Sequence, residues 1–228
     1  MRLAALVISA IVTGCSAFVL VHEYSGAIFS QLKTGDMIAR LAEGPEIAPV
    51  AMPLTWTGQN EVLEACILLQ ASLQMALQPS DVKKNVLLGC NDFAQRATSW
   101  TPTVAMGYLV QAQTAAGLKD EAASNLALVR GQAFAPLEGW QALRRADLGL
   151  QRLNRLDPAA RHALDQDLSF LMATGFGSAA IAKHYVANPD RRALIEAKIA
   201  ELPNIAQNRF LSDLKQAAKL AQPVAGSP

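Results

Sequence analysis

The chain has 228 residues, of which 51% are hydrophobic, 6% aromatic and 17% charged, with 20 Lys and Arg against 19 Asp and Glu for a net charge of +1. The near-neutral balance excludes a general nucleic-acid binder, which needs a basic excess to displace counterions from phosphates. Ala and Leu are abundant and β-branched runs are scarce, the composition of helices packed through small and medium apolar side chains in an all-α fold.

Leu3 to Val21 carries no charge and just reaches the roughly 20 apolar residues that a helix needs to cross a bilayer. Residues 1–23 are therefore read as a transmembrane anchor. Arg2 and the α-amino group precede the run, His22, Glu23 and Tyr24 follow it, and the next lysine is Lys33. Positive charge stays cytoplasmic, so the N-terminus is placed inside and the body of a single-pass protein on the far side of the membrane. Tyr24 is placed at the outer interface. Two other readings stay open. Val12-Thr13-Gly14-Cys15 has the form of a lipobox with Cys15 as the lipidated residue, although Ser16 to Val21 continues apolar. Ser25-Gly26-Ala27 offers a signal-peptidase site. All three put the body outside the cytoplasm.

Residues 24–58 read as a juxtamembrane helix and a stalk. Ile28, Leu32, Ile38 and Leu41 give a weak apolar stripe, and Gly44-Pro45, Pro49 and Pro53 forbid a helix after it. Trp56 is expected to dock on the domain that follows.

Residues 59–221 read as one helical-repeat domain. Val62, Cys66, Leu69, Leu73 and Ala76 recur at helical spacing, Pro79-Ser80 interrupts with Ser80 as the N-cap, and Val82, Val86, Cys90, Phe93 and Ala97 repeat the spacing. The two runs form an antiparallel hairpin. Cys66 and Cys90 both lie about 17–19 Å from its turn, on facing apolar surfaces. That height match fits a disulfide, which an oxidising compartment permits; two buried free thiols are the alternative. No His lies near them in sequence, which argues against zinc.

The next helix is expected from Thr101-Pro102 to Ala116, stopping at Gly117, and another from Lys119 to about Arg130. Leu109, Gly117, Ala122, Leu126 and Val129 roughly occupy tetratricopeptide positions, which favours a solenoid of helix pairs. A long helix follows from Pro136 to Leu156, with Trp140, Leu143, Leu150 and Leu153 as its core face. Asp157-Pro158 opens a further helix through Leu164, Leu168 and Leu171, ended by Gly175 and Gly177. Helices over 178–187, 190–202 and from Pro203 to about Leu220 complete the domain, and 222–228 is read as a frayed tail.

Chemistry-bearing motifs are scarce. His22, His162 and His184 are far apart and have no partner at metal-ligand spacing. Gly175-Phe176-Gly177-Ser178 lacks the strand–turn–helix setting of a nucleophile elbow. The carboxylate pairs Glu61/Glu64 and Asp165/Asp167 read as solvated faces. No catalytic residue, metal or cofactor is expected. The surface that stands out is Arg144, Arg145, Arg152 and Arg155, within a broad stripe at 100° per residue. Such a stripe can hold an acidic glycan, a lipid phosphate or an acidic protein, or can simply be solvated.

Taken in order, these landmarks form a pattern: anchor, Pro-rich stalk, Cys-bearing helix pair, Ser99-Trp100, a pair ending at Gly117, then Pro136-x-Glu138-Gly139-Trp140 and Arg144-Arg145. The pattern resembles the membrane-anchored, tetratricopeptide-like accessory proteins of bacterial exopolysaccharide clusters, the VpsP type, over roughly Cys66 to Leu156. The resemblance implies a non-enzymatic periplasmic scaffold that binds partner proteins of a polysaccharide synthesis and export machine. A lipoprotein-like envelope assembly factor for outer-membrane or division proteins is the second expectation. A glycan-acting enzyme, with carboxylates across a deep cleft, is the third.

Overall fold

The computed structural model describes residues 2–221, with side chains from Val7 onward, so the tail expected at 222–228 lies outside the described residues. Among the described residues the secondary structure is entirely helical, as the composition and periodicity predict. The chain divides between Ser124 and Asn125 into two compact units. The single domain expected over 59–221 is thus corrected to parts of two.

Helix α1 (Arg2–Gln31) opens the first unit. From Val7 to Val21 its side chains are exposed all round, and this helix is long and apolar enough to cross a membrane. Beyond Val21 the same helix enters protein. Phe29 is fully buried and Gly26 lies against the Pro53 ring, where a Cβ would collide. A second helix, α2 (Thr34–Ala42), buries Met37, Ile38 and Leu41.

The proline-rich stretch is not a stalk. Val50 and Met52 are buried and Pro53 packs between Gly26 and Gly58. Prolines forbid a helix but not an extended run, which buries alternate side chains, and a proline brings no N–H that needs a partner. The polar side chains of Arg96, Gln59 and Glu23 fix this run. Arg96 Nη2 donates to the Val50 carbonyl at 2.9 Å, and Gln59 Nε2 donates to the Pro53 carbonyl at 3.1 Å. The Glu23 carboxylate accepts from the Leu54 and Thr55 amides at 2.6 and 2.7 Å and from the Thr55 hydroxyl at 2.8 Å.

Thr55 then caps α3 (Trp56–Gln70), accepting from the Gly58 amide. Trp56 does not dock as expected; it is 64% exposed. After the single turn α4 (Leu73–Ala76), helix α5 (Ser80–Trp100) returns. Pro79 takes its cap position, so Ser80 is the first helical residue and makes no capping bond. Cys66 and Cys90 are joined in a disulfide with their Cα atoms 5.8 Å apart, as the hairpin argument requires. Around it Val62, Leu63, Val86, Phe93 and Ala97 have no exposed surface. Helix α6 (Ala105–Gly117) packs back along α5, starting three residues later than expected because 101–104 forms a turn.

Helix α7 (Glu121–Phe134) follows. Its buried face is Ser124, Asn125, Ala127 and Leu128, whereas Ala122 and Leu126 are exposed. Of the tetratricopeptide positions, Leu109 is buried and Val129 half-buried, while Gly117, Ala122 and Leu126 face solvent.

The second unit contains α8 (Gly139–Gln151), α9 (Pro158–Ala173), α10 (Gly175–Ala187), α11 (Arg192–Ala200) and α12 (Asn204–Ala221), with short 3-10 turns after α8 and before α11. Leu150, Leu168, Leu171, Met172, Ile181, Ile195 and Phe210 form its core. Asp157 caps α9 by accepting from the Ala160 amide at 2.8 Å, with Pro158 in the first turn, as the sequence predicts. Gly175 and Gly177 differ from expectation: they open α10, capped by Thr174, instead of ending α9. A Cβ at Gly177 would meet the Leu171 backbone, so only glycine permits this tight corner. Trp140 is 37% exposed and is not the core anchor the pattern suggests.

Two outcomes test this unit-by-unit account. Reducing the disulfide, which closes a sequence separation of 24, should lower stability by about 3 kcal/mol on the chain-entropy estimate, read as a shift in the urea midpoint with and without reductant. Glu23→Ala should cost about 1–2 kcal/mol, because its hydrogen bonds to the start of α3 are charge-assisted, and should raise amide exchange at Leu54 and Thr55 before the rest of the unit.

Candidate functional site

Two helix faces in the second unit leave a groove of about 570 Å³ between α8 and α10, within the size range of ligand sites. Helix α8 contributes Leu143, Arg144 and Asp147, and α10 contributes Phe176, Ala180, Lys183 and His184. The spacing explains the shape. Alanines at 179, 180 and 187 leave room where larger residues would fill the gap, while Phe176, 63% exposed, stands at one end. Arg144 and Lys183 supply two positive charges, and among the described residues neither makes an ion pair. Asp147 Oδ1 lies 3.4 Å from His184 Nε2, so the two side chains meet across the groove. The floor is apolar and the rim cationic. This arrangement suits a ligand or peptide with an apolar body and acidic groups, bound by charge-assisted hydrogen bonds.

The arginine stripe read from the sequence does not exist as one surface. Arg144 lines the groove. Arg145, one residue and about 100° further round, points inward and is 2% exposed. Its Nε and Nη2 grip both oxygens of Asp167 at 2.8 and 2.7 Å, and the guanidinium also donates to the carbonyls of Gly131 and Ala135. Helix α8 ends at Gln151, so Arg152 and Arg155 lie beyond the helix that would have aligned them. Arg152 is half-buried and Arg155 exposed in the 3-10 turn. Asp167, read as part of a solvated face, is buried with its partner. Burial raises the Asp167 carboxyl above its ordinary value, and the Arg145 guanidinium offsets this only in part.

Cys15 is exposed on the bare part of α1 with a free thiol. Among the described residues no three His, Cys, Asp or Glu side chains gather in a way that could hold a metal ion. Asp147 and Lys183 escaped the sequence reading, and His184 and Phe176, noted there singly, were not seen to meet α8 across a groove. Helix α10 is apolar almost all round, so its period does not reveal which side stays open.

Compared with protein-family models, with curated proteins and with solved structures, the chain matches none.

The Arg145–Asp167 pair makes a sharp prediction. Asp167→Asn should destabilise the second unit by about 3–5 kcal/mol, because it strands a buried guanidinium. Arg145→Met combined with Asp167→Leu should recover most of that loss. Thermal unfolding of the three proteins measures both, and a double variant no better than the single would show that the pair is not the cause.

Proposed function

We propose that this protein is a non-enzymatic, membrane-anchored accessory subunit that binds partner proteins of a polysaccharide synthesis and export machine on the periplasmic face of the inner membrane. The observation that carries the reading is α1. From Val7 to Val21 it is bare and apolar, and beyond Val21 it is built into the core of a folded unit. A chain made this way is tethered to a membrane, and tethering raises the local concentration of weakly bound partners. The Cys66–Cys90 disulfide supports an oxidising compartment outside the cytoplasm. The groove between α8 and α10 supports recognition of a partner segment or an acidic glycan through Arg144 and Lys183. The exopolysaccharide assignment rests on the resemblance of the sequence landmarks.

The test is purification of the tagged full-length protein in mild detergent, followed by mass spectrometry of the intact chain and its partners. An unprocessed N-terminus with a polysaccharide synthase or transporter bound is the expected result. Lipid on Cys15, or partners from outer-membrane assembly, would instead establish the lipoprotein-like assembly factor. Arg144→Glu with Lys183→Glu should then release the partner by at least about tenfold in affinity, the loss of two charge-assisted contacts, while the protein stays in the membrane fraction.

A further inference from the structure

Trp56 and Trp100 are 64% and 65% exposed, large apolar rings left uncovered beside a tightly packed core. Each lies ten residues from a disulfide cysteine, Trp56 before Cys66 and Trp100 after Cys90. The disulfide holds α3 and α5 level, and the two helices run in opposite directions. Both rings therefore stand about 15 Å from the disulfide toward the same end of the first unit.

That end is where α1 leaves the unit. Glu23 holds the Leu54 and Thr55 amides immediately before Trp56. His22 Nδ1 lies 3.1 Å from the Met52 carbonyl, and Arg96, one turn before Trp100, donates to the Val50 carbonyl. Tyr24, on α1 at this level, is 65% exposed. The segments that carry the rings are uncharged: residues 47–60 and 97–105 contain no Asp, Glu, Lys or Arg. Each tryptophan sits between hydroxyl residues, Thr55 and Thr57 around one, Ser99 and Thr101 around the other. Arg2 to Val21, the part of α1 before this level, spans about 30 Å as a helix, the thickness of the hydrocarbon core.

We infer that the first unit seats directly on the bilayer, with Trp56 and Trp100 inserted at the headgroup level beside the point where α1 emerges. A tryptophan ring has an apolar body and one N–H donor, which suits it to that zone. The charged side chains at this level, Glu23 and Arg96, are held in hydrogen bonds to the backbone of the extended run, which limits the cost of bringing them near the hydrocarbon. The occupant of this aromatic end is the membrane that α1 itself crosses, because the two surfaces are continuous. The inference rests on the transmembrane reading of α1.

The experiment uses full-length protein in phosphatidylcholine nanodiscs whose acyl chains carry bromine either near the headgroups or near the bilayer centre. One variant keeps only Trp56 (Trp100→Phe, Trp140→Phe), and a second keeps only Trp100 (Trp56→Phe, Trp140→Phe). A third carries Phe18→Trp with all three native tryptophans changed to Phe. Retention of the Cys66–Cys90 linkage and of helical circular dichroism confirms folding. Expected is a roughly twofold or greater loss of Trp56 and Trp100 emission with shallow bromine, exceeding the loss with deep bromine, as interfacial rings require. The Phe18→Trp reporter should be quenched more by deep bromine. If that reporter is quenched while Trp56 and Trp100 keep full emission, the span stands and the seating is overturned. Quenching of only one of the two rings also overturns it, since equal height is the claim. If no reporter is quenched, the span itself is wrong and the seating falls with it.

Discussion

The first unit depends on one carboxylate. Glu23 sits on α1 and receives two backbone amides and a hydroxyl from Leu54 and Thr55. Those donors lie at and just before the N-cap of α3, where no earlier turn of helix exists to accept the amides. By meeting them from another helix, Glu23 decides where α3 begins and how it lies against α1. The extended run before it then has no freedom to leave, so Val50 and Met52 are drawn into the core. The disulfide acts further up the same helix and fixes α5 to α3. A charge-assisted contact at the open end and a covalent bond part-way along thus fix one hairpin at two heights.

The second unit is organised around a different kind of contact. Arg145 and Asp167 join α8 to α9 in surroundings where both are 2% and 1% exposed. A buried pair of this sort offsets its desolvation cost only when the remaining donors are also used. Here the guanidinium reaches two backbone carbonyls as well, at Gly131 and Ala135. The contribution is specificity of register more than stability. Apolar side chains of similar volume could fill the space, but they would not dictate which turn of α8 faces which turn of α9. The register in turn decides that Arg144, the next residue back, faces out into the groove.

Much of the architecture was legible in residue spacing. The α3–α5 hairpin and its disulfide follow from a 3.6-residue period, a Pro-Ser interruption and simple distances along a helix. The cap at Asp157 follows from the chemistry of Asp-Pro. Other features were hidden for identifiable reasons. Pro45, Pro49 and Pro53 say only that the backbone is not helical; they do not say where it is buried, and from Val50 to Pro53 it packs into the core while Ile47 and Pro49 stay exposed. Arg144 and Arg145 look alike in sequence, yet one is rim and the other core, because adjacent helical residues point about 100° apart. Gly175 and Gly177 read as a stop, but the deciding fact was the close approach of the Leu171 backbone, which no local pattern records. Ala122 and Leu126 match a repeat template while pointing to solvent, since spacing specifies a helix face but not what covers it. The groove was the least legible feature, because it is defined by side chains that are missing from alanine positions.

The unbroken passage of α1 from Arg2 to Gln31 has a mechanical consequence. A flexible linker would let a domain keep its orientation whatever the membrane does. Here no joint separates the two parts of the helix, and Glu23, Gly26 and Phe29 are locked into the first unit. A span that tilts to match a thinner bilayer must rotate that unit by the same angle. With α1 crossing the bilayer as proposed, the helix acts as a lever, and the thickness of the surrounding lipid becomes a setting for the direction in which the first unit faces.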